Sequence, residues 1–163
     1  MLRIQHICSS NVENRRRLVA HIKLVSDLCT ACKACEIACA ERHSKARSYP
    51  EFIWESPRPI PRVRIRCKGP KIVAVRCFHC RKPKCLEACE SSAISKVDGK
   101  VLIDLEKCTA CWSCVEACPF GSIQKDEKNE VPVKCDLCTE YGTQACVISC
   151  PTGALEFFES EGT

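Results

Sequence analysis

The run Cys108-Thr-Ala-Cys111-Trp-Ser-Cys114-Val-Glu-Ala-Cys118-Pro119 constrains this chain more than any other stretch. Three thiols spaced by two residues let one short loop curl around a single inorganic core and give it three thiolates. Backbone N–H groups of such a loop turn toward the same core. The fourth thiol comes three residues later and faces elsewhere, so the run predicts a partner run to which that thiol is lent.

Three further runs are present. Cys29-Thr-Ala-Cys32-Lys-Ala-Cys35-Glu-Ile-Ala-Cys39 repeats the spacing without the closing proline. Cys77, Cys80, Cys85 and Cys89 form a run whose middle gap is two residues longer, and Cys135, Cys138, Cys146 and Cys150 form one whose middle gap is seven residues. All four keep the two-residue opening and the three-residue close. The last ends in Cys150-Pro151, like the run at Cys108.

Cysteine makes up 18 of 163 residues, a level at which cysteine chemistry rather than an apolar core holds a small fold together. The chain has only two Trp, two Tyr and five Phe, so hydrophobic burial alone is marginal. A disulfide scaffold would normally enter through a secretory signal. Residues 1 to 20 carry Arg3, His6, Glu13 and Arg15-Arg16-Arg17 without an apolar stretch, and the segment after Arg15-Arg16 is too short and charged for a twin-arginine signal. No segment has the apolar length to span a bilayer. The expectation is a cytoplasmic protein with reduced thiols.

Zinc also accepts four cysteines, but its paired Cys-x-x-Cys knuckles give no reason for a fourth thiol three residues on. Sixteen thiols in four groups fit four [4Fe-4S] clusters, and this spacing is one in which the fourth thiol serves the other cluster of a pair. The formal charge of +5 then reads as counter-charge: with about −2 from each cluster and its thiolates, the holoprotein nears about −3. Nucleic-acid binding is not expected.

Along the chain, residues 1 to 20, with Cys8, match neither helix nor strand and have no assigned role. His21–Ser26 alternates like a half-buried strand, and Cys39 is expected on a short helix. Four prolines between residues 43 and 61 forbid continuous helix there. Arg62–Cys67 and Lys71–Arg76 read as a hairpin with valine and isoleucine toward the cluster side, and with Arg62, Arg64 and Arg66 toward solvent or a partner. The plain reading of that arginine face is a protected surface strand. Cys67 is expected as a packed free thiol, His79 as a residue beside the ligands rather than one of them, and Trp112 as a shield against water.

Ala93–Val97 and Lys100–Asp104 form a hairpin around Asp98-Gly99. Ser122–Lys125 and Val131–Lys134 form another, and Gly153–Phe158 is expected to pair with the strand at 21 to 26. None of His6, His21, His43 and His79 has an acid–base or nucleophile partner in the sequence. Catalysis is therefore expected on another polypeptide.

The four runs, in this order and with the longer gaps in the second and fourth, resemble the four-cluster ferredoxin-like electron-transfer subunits. These accompany molybdopterin or tungstopterin oxidoreductases, formate dehydrogenases, hydrogenases and carbon monoxide dehydrogenase. Glu36–Ser44 and Glu55–Val63 resemble the short soluble branch, as in the iron–sulfur subunit of carbon monoxide dehydrogenase. The likeness covers roughly residues 21 to 158, with Ala40 and Glu90 where proline might stand.

The resemblance implies an α+β fold of two fused bacterial-type dicluster ferredoxin-like modules with short helices and small antiparallel hairpins. Residues 21–66 with 135–163 would form the outer module and 67–134 the inner one, with 1–20 as an arm. It implies that Cys29, Cys32 and Cys35 share a cluster with Cys150, and Cys135, Cys138 and Cys146 one with Cys39. Cys77, Cys80 and Cys85 would join Cys118, while Cys108, Cys111 and Cys114 join Cys89. The implied function is electron relay between a catalytic molybdo- or tungstopterin enzyme, or a carbon monoxide dehydrogenase, and a further redox subunit or further copies of the same polypeptide. A free-standing ferredoxin shuttle and a structural or filament-forming cluster module are the alternatives.

Overall fold

The structure, a computed structural model, describes residues 17–162. Cys8, Arg15 and Arg16 lie outside the described residues. The fold is α+β, and its eight described strands form four separate two-stranded antiparallel sheets. The outermost joins the two ends of the described segment: β1 (Arg17–Leu24) pairs with β8 (Leu155–Gly162), from Arg17 opposite Gly162 to Leu24 opposite Leu155. The first strand thus begins at Arg17 rather than His21, because β8 runs on past Phe158 and supplies backbone partners for the extra residues. Ala20 and Ile22 point into the core while His21 between them is only half-buried, as a strand of period two requires.

The remaining strands form the three expected hairpins. β2 (Arg64–Lys68) pairs with β3 (Lys71–Val75), β4 (Ile94–Val97) with β5 (Lys100–Ile103), and β6 (Gln124–Asp126) with β7 (Val131–Val133). Asp98 (φ 47°) and Gly99 (φ 77°) both adopt the left-handed conformation that makes a two-residue turn match the twist of its strands.

Four short helices follow the cysteine loops: α1 (Ala34–Arg42), α2 (Lys84–Glu87), α3 (Ser113–Ala117) and α4 (Ala145–Ile148). Each carries the third thiol of its run. Cys39 also lies on α1, as its helix-forming neighbours predict. α1 packs against α4 and α2 against α3, so the first run meets the fourth and the second meets the third.

The core consists of two groups built around sulfur. Ile22, Val63, Ile65, Leu137 and Leu155 surround Cys35, Cys39, Cys77, Cys135 and Cys146. Ile94, Val101 and Ile123 surround Cys114, with Cys85, Cys89 and Cys118 packed against them. Cys67 corrects the sequence reading: it is an exposed thiol, not a packed one. It shares the side of β2 on which Ile65 is buried, but stands where the hairpin runs out past the core toward its tip at Lys68–Lys71. Among the described residues no helix is long and apolar enough to cross a membrane.

Candidate metal centres

All four loops share one backbone device. The residue just before the second thiol, Ala31, His79, Ala110 or Leu137, adopts a left-handed conformation, with φ of 55°, 47°, 53° and 60°. For residues other than glycine this costs about 1 kcal/mol each. The turn brings backbone N–H groups onto sulfur: His79 N–H donates to Cys77 Sγ at 3.4 Å and Leu137 N–H to Cys135 Sγ at 3.5 Å. The fourth thiols receive donors from more distant segments, Arg62 N–H to Cys39 Sγ at 3.2 Å and Ser122 N–H to Cys118 Sγ at 3.4 Å.

The seventeen described cysteines are free thiols, and those of different runs converge. Cys29, Cys32 and Cys35 line one small cavity together with Cys150. Burial pushes the Cys35 thiol up to about 11, with Glu36 and then Cys150 adding to the effect. Cys146 is pushed up by burial and then by Cys39, Cys135 and Cys138. Burial likewise holds Cys135 at about 12, with Cys39 as a further negative neighbour. In the other half, Cys80 and Cys85 are raised by burial, then by Cys77, with Cys118 adding to both. Cys114 is raised to about 11 by burial and by Cys108, with smaller effects from Cys85 and Cys111. Cys89 packs against the core group that contains Cys114.

Sulfurs crowded this way, in an apolar setting, are unfavourable as thiolates unless something cationic sits among them. The donor set of thiolates with inward N–H groups is soft and tetrahedral in number, which fits iron–sulfur clusters.

Two buried cations serve the same sulfurs. Arg76 is 6% exposed and donates from Nε to the Ile22 carbonyl and from Nη1 to the Ala74 carbonyl, the latter at 3.1 Å. Burial lowers its pKa, opposed by Cys135, Cys146 and Cys77, so its charge is felt by thiols of both the second and the fourth run. Lys134 is 5% exposed and donates from Nζ to the carbonyls of Val101 and Cys135. His79 is buried and accepts a hydrogen bond at Nδ1 from Val101 N–H at 2.9 Å. Burial, then Lys134, holds it neutral with a pKa of about 3. Trp112 is half-buried and itself left-handed (φ 65°), with Lys125 Nζ 5.6 Å from its ring centroid.

One group escaped the sequence reading. Asp136 pairs with both His43, whose Nε2 is 3.3 Å from Oδ1, and Arg62. Arg62 is thereby taken out of the solvent-facing row predicted for it. His43 Nδ1 lies 2.8 Å from the Cys39 carbonyl oxygen and 3.8 Å from Cys39 Sγ. Burial disfavours charge on His43, but the hydrogen bonds to Asp136 and Cys39 outweigh it and raise the pKa to about 9. The contact with the Asp136 carboxylate thus favours the charged form of His43. Asp136 also accepts from Cys138 N–H at 3.0 Å, so the trio braces the two loops that bring Cys39 to Cys135 and Cys138.

Comparison with known proteins points to the same cofactor. The 4Fe-4S dicluster domain family matches residues 70–160, and a 4Fe-4S binding domain matches residues 26–42. The YsaA protein of Escherichia coli (strain K12), named for electron transport, is 36% identical over 141 residues, covering 82% of this chain and 85% of that one. The B subunit of anaerobic dimethyl sulfoxide reductase from the same organism is 31% identical over 145 residues, covering 81% of this chain and 69% of that subunit. Its UacF protein, named as an oxidoreductase, is 37% identical over 139 residues and 82% of this chain, but the match spans only 20% of UacF. With thiols gathered from paired runs and a family match across more than half its length, this protein belongs to the 4Fe-4S dicluster domain family and carries [4Fe-4S] clusters.

Proposed function

We propose that this chain is an electron-transfer subunit that holds four [4Fe-4S] clusters in two fused modules and relays electrons for a catalytic oxidoreductase subunit. The observation that carries the reading is the convergence of thiols from paired runs, with α1 against α4 and α2 against α3. On this reading Cys29, Cys32, Cys35 and Cys150 hold one cluster, and Cys135, Cys138, Cys146 and Cys39 a second. Cys77, Cys80, Cys85 and Cys118 hold a third, and Cys108, Cys111, Cys114 and Cys89 the fourth. Residues 21–66 and 135–163 make the outer module and 67–134 the inner one. The β2–β3 hairpin spans that boundary and packs Ile65 and Ala74 into the outer core.

A bound cluster supplies a one-electron couple. The protein's own residues hold the couples close together, exclude water with the apolar side chains around each sulfur group, and direct N–H donors at the sulfurs. Arg76 and Lys134 offset negative charge where it would otherwise be buried without a counter-ion. The relation to the B subunit of dimethyl sulfoxide reductase supports a catalytic reductase subunit as the partner; the resemblance of the cysteine pattern makes that partner a molybdo- or tungstopterin oxidoreductase or a carbon monoxide dehydrogenase.

Anaerobic titration of the holoprotein with dithionite tests the relay. Bleaching of the visible cluster absorbance, with appearance of electron paramagnetic resonance signals, is the expected result. A spectrum unchanged at all accessible potentials would leave the clusters a structural role only.

A further inference from the structure

The protein's charges are segregated. Residues 56 to 86 contain ten arginines and lysines and no acidic residue, so all twenty aspartates and glutamates lie elsewhere. Like charges gathered this way destabilise a compact fold by self-repulsion. Counter-charge for the bound clusters accounts for buried Arg76 but not for the exposed cations among them. The stretch from Ser26 to Arg42 sets Lys33 and Arg42 against Asp27, Glu36 and Glu41, and the stretch from Cys135 to Cys150 carries Asp136 and Glu140 with no cation. The outer thiols thus need no such excess.

The β2–β3 hairpin gathers four of these cations, Arg64, Arg66, Lys68 and Lys71, on one face. Cross-strand partners share a side of a hairpin, so Arg64 and Val75, Arg66 and Val73, and Lys68 and Lys71 project together, opposite the buried pair Ile65 and Ala74. Arg64 extends from this face and donates from Nη2 to the Gly121 carbonyl at 2.7 Å, which sets Phe120 at its margin. Phe120 packs on Phe78 with ring centroids 4.7 Å apart, and the two remain 50% and 38% exposed. Beyond Phe78 the same loop presents exposed Arg81, Lys82 and Lys84, and Lys96 Nζ bonds the carbonyls of Cys80 and Arg81. Arg62 is neutralised by Asp136 and Arg64 is flanked by Glu36, whereas Arg66, Lys68, Lys71, Arg81, Lys82 and Lys84 are all exposed.

The aromatic pair joins the loop that carries Cys77 and Cys80 to the one that carries Cys118. An exposed apolar centre on the loops that carry thiols, with cations nearby, has the composition of a protein-docking site in which charge steers encounter and aromatic groups make the contact.

We propose that the outer face of the β2–β3 hairpin, together with the Phe78–Phe120 pair and the Arg81–Lys84 loop, docks an acidic electron-transfer protein and exchanges electrons with it through the adjoining inner cluster. The docking partner is thus a protein with a carboxylate-rich patch around its own redox centre. The proposal rests on the relay reading above, but docking is measured apart from redox.

The test uses the cluster-loaded full-length protein and an acidic plant-type [2Fe-2S] ferredoxin as probe, with affinity read by biolayer interferometry. Lys71→Glu with Lys82→Glu should weaken binding about tenfold or more, whereas Lys45→Glu with Lys128→Glu on other surfaces should leave it within about twofold. Lys71→Gln with Lys82→Gln should weaken it by a smaller step, and raising salt from about 20 mM to about 500 mM should abolish the difference between variants. Equal losses in the two Glu pairs, or no binding of the ferredoxin by the parent protein, would overturn the proposal. So would tighter retention of a mixed-sequence DNA duplex than of the ferredoxin at the same salt, which would make the face a nucleic-acid site. Failure of the relay itself would appear separately, as clusters that dithionite does not reduce.

Discussion

Cys118→Ser is expected to cost the protein one cluster, about four irons per molecule, and that cluster is the one held by Cys77, Cys80 and Cys85 rather than the one held by its own run. Cys118 caps the C-terminus of α3, where its Sγ accepts from Ser122 N–H at 3.4 Å, and it adds to the negative surroundings of both Cys80 and Cys85. A three-residue helix turn separates it from Cys114 and aims it at the neighbouring group. Double substitution decides the matter, because losses at one cluster do not add while losses at two do. Adding Cys85→Ser to Cys118→Ser should remove no further iron, whereas adding Cys114→Ser should remove about four more. Iron analysis of the anaerobically purified variants checks this. The reverse pattern would mean that each run is self-contained.

Removing the iron should unfold the protein. Among the described residues, nine large apolar side chains, from Ile22 to Leu155, make up the non-cysteine core beyond alanine. α2 and α4 have four residues and α3 five, far below the length at which a helix is stable alone. Each sheet has two strands, and an isolated two-stranded ribbon is marginal in water. On the proposed ligand sharing, sulfur links these pieces: Cys39 would tie α1 to the loop at Cys135, and Cys150 would tie α4 to the loop at Cys29, beside which they lie. Metal ligation of this kind contributes on the order of 10 kcal/mol of folding free energy per site in small metal-dependent domains. Chelation of iron under reducing conditions should therefore abolish the cooperative thermal transition and most of the strand signal in far-ultraviolet circular dichroism. An apoprotein that retained a native-like spectrum and a sharp transition would show that the apolar core suffices.

Local patterns made much of this readable from the sequence. The thiol spacings located the four loops, and alternation with turn residues located all three hairpins, including the Asp98-Gly99 turn. The pairing of the outermost strands was legible because His21–Ser26 alternates and Gly153–Phe158 is strand-like, but the extent from Arg17 to Gly162 was not. Residues past Phe158 carry no strand signature of their own and are extended because a partner lies opposite.

Other features depended on distance in the fold. The left-handed positions before each second thiol are occupied by Ala31, His79, Ala110 and Leu137, residue types that do not announce such a conformation as glycine or asparagine would. The Asp136 pairings with Arg62 and His43 join residues 74 and 93 positions apart, so no window of sequence contains them. Cys67 was misjudged because its strand parity matches that of buried Ile65 while its place at the hairpin tip removes it from the core.

The most direct test of the central claim is the iron and acid-labile sulfide content of the anaerobically purified holoprotein. The account predicts about sixteen of each per molecule, from four clusters sharing ligands across paired runs. Half that content, or stoichiometric zinc without sulfide, would contradict it.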